Sequence, residues 1–272
     1  MIESVSGMDA AEQIMESEGF ATRRAVSELD ALLARRISGE PIQYVLGAWS
    51  FCGLDLMVDP RVLIPRPETE VVAQVAIAEV ERLGERVGPP DPWAGGHTRY
   101  AVADLGTGSG ALALALANSL PDAEVWATDV SEAALAVARA NVAAAGSVAT
   151  RLRVAEGSWF DALPAEHRGA VRLVVANPPY IAEHEVLPAS VAEWEPTGAL
   201  YAGPTGLEAV EHLIGTAPEW LDAAGTLVLE LAPHQAGPAT ELARAAGFAD
   251  VGVRADLAGH DRALVARLRA DR

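Results

Sequence analysis

From residue 100 onward the chain alternates short apolar runs with longer alanine-rich or amphipathic stretches. Residues 100–104, 124–128, 151–155, 171–176 and 226–231 have the length and composition of buried strands. Residues 111–119 and 131–145 between them predict helices, the second with Ser131 as N-cap and Gly146 just past its end. Residues 248–254 and 263–268 predict closing strands. Strands and helices in alternation predict a doubly wound α/β fold, a mostly parallel sheet covered on both faces.

The first hundred residues are patterned differently. Over 21–37, Val26, Leu29, Leu33 and Ile37 share one helical face, and 9–18 adds a shorter helical stretch. Gly39 and Pro41 end that region. Residues 43–58 alternate loosely around Gly47 and Gly53, which predicts a hairpin or short strand pair. A helix follows from Pro65 to about Leu83, with Pro67 in its first turn and Glu68 and Glu70 at its positive end. Residues 84–99, rich in Gly and Pro, predict a flexible connection. The expected organisation is a short helical N-terminal domain over 1–42, a hairpin connection over 43–64, and an α/β domain over 65–272.

Half of the 272 residues are apolar, enough for a sizeable core. The single cysteine, Cys52, rules out intramolecular disulfides and thiolate zinc clusters and fits a reducing compartment. Residues 1–13 lack a basic segment followed by an apolar one, and the longest apolar run, 111–118, is too short to span a bilayer. A soluble cytoplasmic protein is expected. The chain contains no lysine, which excludes Schiff-base chemistry and the P-loop lysine. Its net charge of −18 argues against a tight, non-specific grip on nucleic acid and suits a basic protein partner.

The candidate chemistry lies in two loops. Residues 104–110, Asp-Leu-Gly-Thr-Gly-Ser-Gly, follow the first predicted strand of the sheet and precede a helix. Gly106, Gly108 and Gly110 let the backbone turn sharply and approach a ligand, with Thr107 and Ser109 between them. The spacing is not that of dinucleotide loops, and Asp104 directly before the turn would repel a pyrophosphate. Asp129, closing the next strand, is placed to accept both hydroxyls of a ribose. A cationic nucleoside without phosphates, such as the sulfonium S-adenosylmethionine, tolerates this acidic setting. Trp159, after the third strand, would lie near the adenine, although core packing is an equal claim on it.

The second loop, Asn177-Pro178-Pro179-Tyr180, follows the apolar strand 171–176 at the carboxyl edge of the sheet, beside that crevice. The prolines fix φ and lack N–H donors, so a free proline carbonyl is available to a ligand. The Asn177 carboxamide oxygen and the Pro178 carbonyl together can accept both N–H bonds of a planar NH₂ group, with Tyr180 covering it. An amide nitrogen is a poor nucleophile, and two acceptors orient it and raise its electron density for in-line attack on a methyl group. Adenine, cytosine and glutamine all present such a group. Neither loop calls for a metal, and none is expected.

The chain resembles the release-factor glutamine methyltransferases of the HemK type over nearly its full length. The resemblance rests on 39–44 (Gly-Glu-Pro-Ile-Gln-Tyr), 63–70 (Leu-Ile-Pro-Arg-Pro-Glu-Thr-Glu), the two loops, Glu195-Pro196, Ala199-Leu200, Gly206-Leu207, Leu229-Glu230 with Gln235, and 257–262. It implies a Rossmann-like methyltransferase domain over 65–272. It also implies transfer of a methyl group from S-adenosylmethionine, with S-adenosylhomocysteine as product, to the glutamine of the Gly-Gly-Gln loop of peptide chain release factors. Cofactor contacts would come from 106–110, Asp129, Trp159 and Asn177, and substrate contacts from Asn177, Pro178, Pro179 and Tyr180. No direct nucleic-acid or membrane partner is implied. The chain departs from the family in a shorter helical region before Gly39, in Ser158 where Asp is common, and in Ala202 and Thr205. Three rivals are a glutamine methyltransferase acting on a ribosomal protein, a nucleic-acid adenine methyltransferase, and a non-catalytic cofactor-binding module. The intact Asn177 and glycines count against the last.

Overall fold

In a computed structural model, which describes residues 1–16, 19–87 and 100–269, the chain opens with three helices. These are α1 (Ile2–Ser6), α2 (Ala10–Met15) and α3 (Arg23–Ile37). Asp9 and Glu12 close a capping box on α2, and Thr22 caps α3 by accepting from the Ala25 amide at 3.1 Å. The periodicity over 21–37 does form a helix, but no α3 residue is fully buried, and Ile37 is 83% exposed. A helical pattern alone supplies no partner to bury the face. What anchors α3 is Arg35, paired with Glu40 and bonded to the carbonyls of Tyr44 and Val45.

The region from 43 begins with a turn of helix, α4 (Ile42–Leu46), before the expected strand pair β1 (Ala48–Phe51) and β2 (Leu54–Met57). Cys52 and Gly53 both have positive φ, as a two-residue hairpin turn requires. Helix α5 (Pro67–Val87) starts two residues later than Pro65 and runs beyond Leu83, so 84–87 are helical. The remainder of the expected connection, 88–99, lies outside the described residues.

The sheet then assembles from β3 (Tyr100–Leu105), α6 (Ala111–Ser119), β4 (Ala123–Asp129), α7 (Glu132–Ala144), β5 (Leu152–Glu156) and β6 (Val171–Ala176). After a small parallel pair, β7 (Ile181–Ala182) and β8 (Tyr201–Gly203), flanking the short α8 (Ala189–Ala192), come α9 (Glu208–Trp220), β9 (Leu221–Glu230), α10 (Ala236–Ala245), β10 (Asp250–Ala255) and β11 (Asp261–Arg267). Strand order is β10-β11-β9-β6-β3-β4-β5. The five strands from β9 to β5 are parallel, and the closing hairpin is antiparallel. The fold is the expected doubly wound one. β9 starts five residues before the expected 226, at the end of α9.

Alternation divides the sheet between two cores. Val102, Val125, Leu173, Val175 and Val228 face α5, α6 and the hairpin residues Phe51 and Leu56. Ala103, Leu105, Val174, Leu227 and Leu229 face α9, α10 and the stacked Phe160 and Trp220. A third cluster seats Tyr44, Val58, Val62 and Ile64 on α7. The chain runs β3, β4, β5 towards one edge and continues with β6 and β9 on the other side of β3. The loops after β3 and β6 therefore flank the switch point where such sheets bind ligands. Among the described residues no helix is long and apolar enough to cross a membrane.

Candidate functional site

A cavity of about 350 Å³ opens at this switch point, in the size range of small-ligand sites. Gly106, Thr107, Gly108 and Ser109 form one wall, with Asp129 and Trp159 beside them. Asn177 and Pro179 stand on another wall, and Thr69 adjoins them. Gly110, Pro178 and Tyr180 do not line it: Gly110 is the N-cap of α6, Pro178 is buried, and Tyr180 follows behind.

The glycine wall is shaped by its own neighbourhood. Gly106, Gly108 and Gly110 have φ of 76°, 56° and 85°, a region L-residues rarely adopt. The Gly106 and Thr107 amides both donate to the Thr128 carbonyl at 2.8 Å. Asp104 accepts from the Thr107 hydroxyl at 2.6 Å and the Ala113 amide at 3.0 Å, tying the turn to α6. It is fully buried and does not face the cavity, so its role is to shape the loop, not to repel a ligand. Burial pushes its carboxyl up to about 7, against the lowering effect of those two bonds. Asp129 accepts from the amides of Gly108 and Ser131, both at 2.9 Å, and retains further lone pairs towards the cavity it lines.

Trp159 holds a left-handed φ of 48°, a strained conformation for an aromatic residue. Its ring leans on the glycine loop, where a Cβ on Gly106 would come within 3.3 Å of it, and it also packs on the second core. Asn141 joins this wall to the hairpin. Its side chain bonds the backbone N–H and C=O of Met57 and donates to the Ser109 carbonyl at 2.8 Å.

The second wall is assembled from afar. Asn177 Nδ2 donates to Thr69 Oγ1 at 3.2 Å, and the Thr69 hydroxyl donates to Glu230 Oε2 at 2.6 Å. Glu230 is 1% exposed, and burial pushes its carboxyl up to about 7 despite the Thr69 bond and the nearby Arg262. The backbone of the Asn-Pro-Pro-Tyr loop is held by Gln235, whose Nε2 donates to the carbonyls of Tyr180 at 3.0 Å and Gly206 at 2.9 Å. Any Cβ on Gly206 would sit 2.7 Å from the Tyr180 carbonyl, so only glycine fits there. Burial raises the Tyr180 phenol to about 12, with Glu230 adding to the effect. Buried Glu195 accepts from the Ile64 amide at 3.1 Å and from Arg66 at 2.5 Å, bringing together the segments 61–65 and 196–199, both of which contribute to the cavity lining. None of Thr69, Asn141, Glu195, Glu230 or Gln235 announces such a contact in its local sequence.

The arrangement fits an adenosyl sulfonium ligand on three counts. The glycine cradle permits close backbone approach, Asp129 offers acceptors, and Trp159 and Val130 supply apolar surface.

Comparison with known proteins points the same way. The family "Methyltransferase small domain" matches residues 95–194, and "PrmC N-terminal domain" matches 1–47. A release factor glutamine methyltransferase of Bordetella pertussis is 42% identical over 232 residues, covering 85% of this chain and 79% of the relative. One from Burkholderia pseudomallei is 42% identical over 245 residues, covering 88% and 79%. Among solved structures, the N-terminal domain of human METTL16 in complex with SAH superposes with a TM-score of 0.57 at 19% identity, covering 93% of this chain and 85% of that one. A methyltransferase from Pyrococcus furiosus gives 0.51 at 16% identity, covering 89% and 99%. These two likenesses show the fold.

Proposed function

The chain belongs to the release factor glutamine methyltransferase family, and we propose that it transfers a methyl group from S-adenosylmethionine to the side-chain amide nitrogen of a release-factor glutamine. The observation that carries this reading is one cavity with two walls. It is lined both by the glycine loop and by Asn177 and Pro179 of the Asn-Pro-Pro-Tyr loop, and the Asn177 carboxamide N–H is already engaged by Thr69.

In this reading Gly106 to Ser109 and Asp129 hold the cofactor, Trp159 packs on its adenine, and Asn177 adjoins the methyl donor. Asn177 Oδ1 at the cavity and the Pro178 carbonyl just outside its lining accept the two N–H bonds of the glutamine amide, and Tyr180, also outside the lining, shields it from water. When bound, S-adenosylmethionine would supply an electrophilic sulfonium methyl group and a neutral thioether as leaving group. The clamped nitrogen forms the new N–C bond in line, and its extra proton leaves to solvent after transfer. No strong base is needed, because positioning supplies several kcal/mol of the barrier. The target is the glutamine of the Gly-Gly-Gln loop. The domain division at 42 and 64 follows the same logic, with the hairpin bracing the cofactor loop through Asn141.

The test is methyl transfer from labelled S-adenosylmethionine to unmethylated release factor, with its Gly-Gly-Gln glutamine intact or changed. Label that requires the glutamine supports the reading. Cofactor binding without label overturns the substrate assignment and directs the search to ribosomal proteins and then RNA.

A further inference from the structure

An asparagine side chain is ambiguous as a recognition group. Rotated by half a turn about its last bond, it presents N–H donors where it had presented an oxygen. An amide NH₂ needs the oxygen, whereas a carboxylate needs the donors. Whatever fixes that rotation decides which of the two the site reads.

We infer that Thr69 and Glu230 lock the Asn177 carboxamide with its oxygen towards the substrate, and so make the site select glutamine over glutamate. The inference rests on the proposed glutamine substrate. Its basis is the polarity of a two-bond relay. An ionised carboxylate only accepts hydrogen bonds, so the single Thr69 hydroxyl proton is committed to Glu230 at 2.6 Å. Thr69 Oγ1 is then available to Asn177 only as an acceptor, and it takes Nδ2–H at 3.2 Å. Among the described residues no protein donor reaches Asn177 Oδ1, which leaves that oxygen for a ligand N–H. Thr69 and Glu230 are 4% and 1% exposed, so water does not readily scramble the relay. The partners are far apart in sequence but fixed in the fold, on the first turn of α5, the loop after β6 and the end of β9. These are positioning residues: they act on the substrate through Asn177.

Burial raises the Glu230 carboxyl to about 7, so this polarity holds above that pH, where the carboxylate is ionised. Arg262 on β11 and Arg66 before α5 favour its ionised form. Burial and Glu68 on α5 oppose it. Protonated Glu230 would donate to Thr69 and free the Thr69 proton for Asn177 Oδ1, turning the carboxamide the wrong way.

Two substitutions at Thr69 separate the hydroxyl from its methyl group. Thr69→Val keeps the shape and loses the relay, whereas Thr69→Ser keeps the relay and loses the methyl. The readout is binding at pH 8.5, without turnover, of release factor carrying either the target glutamine or glutamate in its place, in the presence of S-adenosylhomocysteine. Wild-type protein should prefer the glutamine form by about tenfold or more. Thr69→Val should bring the ratio to about 1–3, measured with S-adenosylhomocysteine at saturation for each variant. Thr69→Ser should restore most of the preference. A ratio unchanged by Thr69→Val, or lost equally in Thr69→Ser, overturns the inference. Wild-type turnover on the glutamine form, measured alongside, judges the proposed function separately: its absence refutes that function, whatever the binding ratios.

Discussion

The two walls of the cavity are built on different principles. The glycine wall is local: Asp104 reaches residues three and nine positions ahead, and Asp129 reaches back 21 to Gly108. The wall around Asn177 is convergent. Its bonds span 108 residues from Asn177 to Thr69, 161 from Thr69 to Glu230, 131 from Ile64 to Glu195 and 55 from Tyr180 to Gln235. The wall assigned to the cofactor is held mostly by its own loop and the next strand, with Asn141 tying it to the hairpin. The wall assigned to the particular substrate is held by the assembled sheet and its helices.

Substitutions can test that division, the strongest first. Asn177→Ala should lower kcat by about 10³-fold while leaving most affinity for S-adenosylmethionine, as calorimetry and methyl-transfer assays would show. Unchanged methylation would sink the amide clamp. Asp129→Ala should weaken cofactor binding by about 1–3 kcal/mol, since it removes acceptors from the glycine wall. Release-factor affinity of the cofactor-free protein should hold, and a loss there would break the separation of the walls. Gly106→Ala combines a left-handed φ with a Cβ 3.3 Å from Trp159, so a cofactor affinity loss of about 1–2 kcal/mol is expected. Trp159 fluorescence would follow it.

The smallest effect is on stability against pH. Asp104 and Glu230 belong one to each wall, and burial raises each carboxyl to about 7 from an unfolded value near 4. Between those values the folded protein holds protons that the unfolded chain has shed, so stability falls as pH rises from about 4 to about 7. Carboxylates held down by arginine act the other way below that window: Asp59 beside Arg61, and Glu79, where Arg267 and Arg82 overcome burial, lose stability on further acidification. Thermal melts of the cofactor-free protein should therefore decline by a few °C from pH 5 to pH 8. Asp104→Asn and Glu230→Gln should each flatten that decline, and a slope unmoved by both would exclude them as its source.

The same contrast governs what the sequence disclosed. Strand-loop-helix order with three glycines and an acid on the next strand is a local code, and the predicted strand at 171–176 agrees residue for residue with β6. The face of Val26, Leu33 and Ile37 was legible as helix but not as exposed, because periodicity describes one element and burial needs a second. Asn177 was readable as an acceptor from its motif. That its nitrogen is tethered, and by which threonine, depends on where α5 crosses the sheet. Glu195, Gly206 and Gln235 stood out only through family likeness. Their physical reasons are a buried pair with Arg66, a contact that leaves no room for a Cβ, and a two-carbonyl clamp.

Strand order also sets an order of completion. β11 is synthesised after β9 and β10 yet lies between them, so the closing hairpin must dock through its second strand. Glu230, the last residue of β9, pairs with Ala263 of β11, and its seclusion from water waits for that docking. A growing chain therefore acquires the cofactor loop well before the group that orients Asn177. On the proposed role of Glu230, the ability to tell an amide from an acid would be gained only once β11 has docked, and a cut within that strand would lose it.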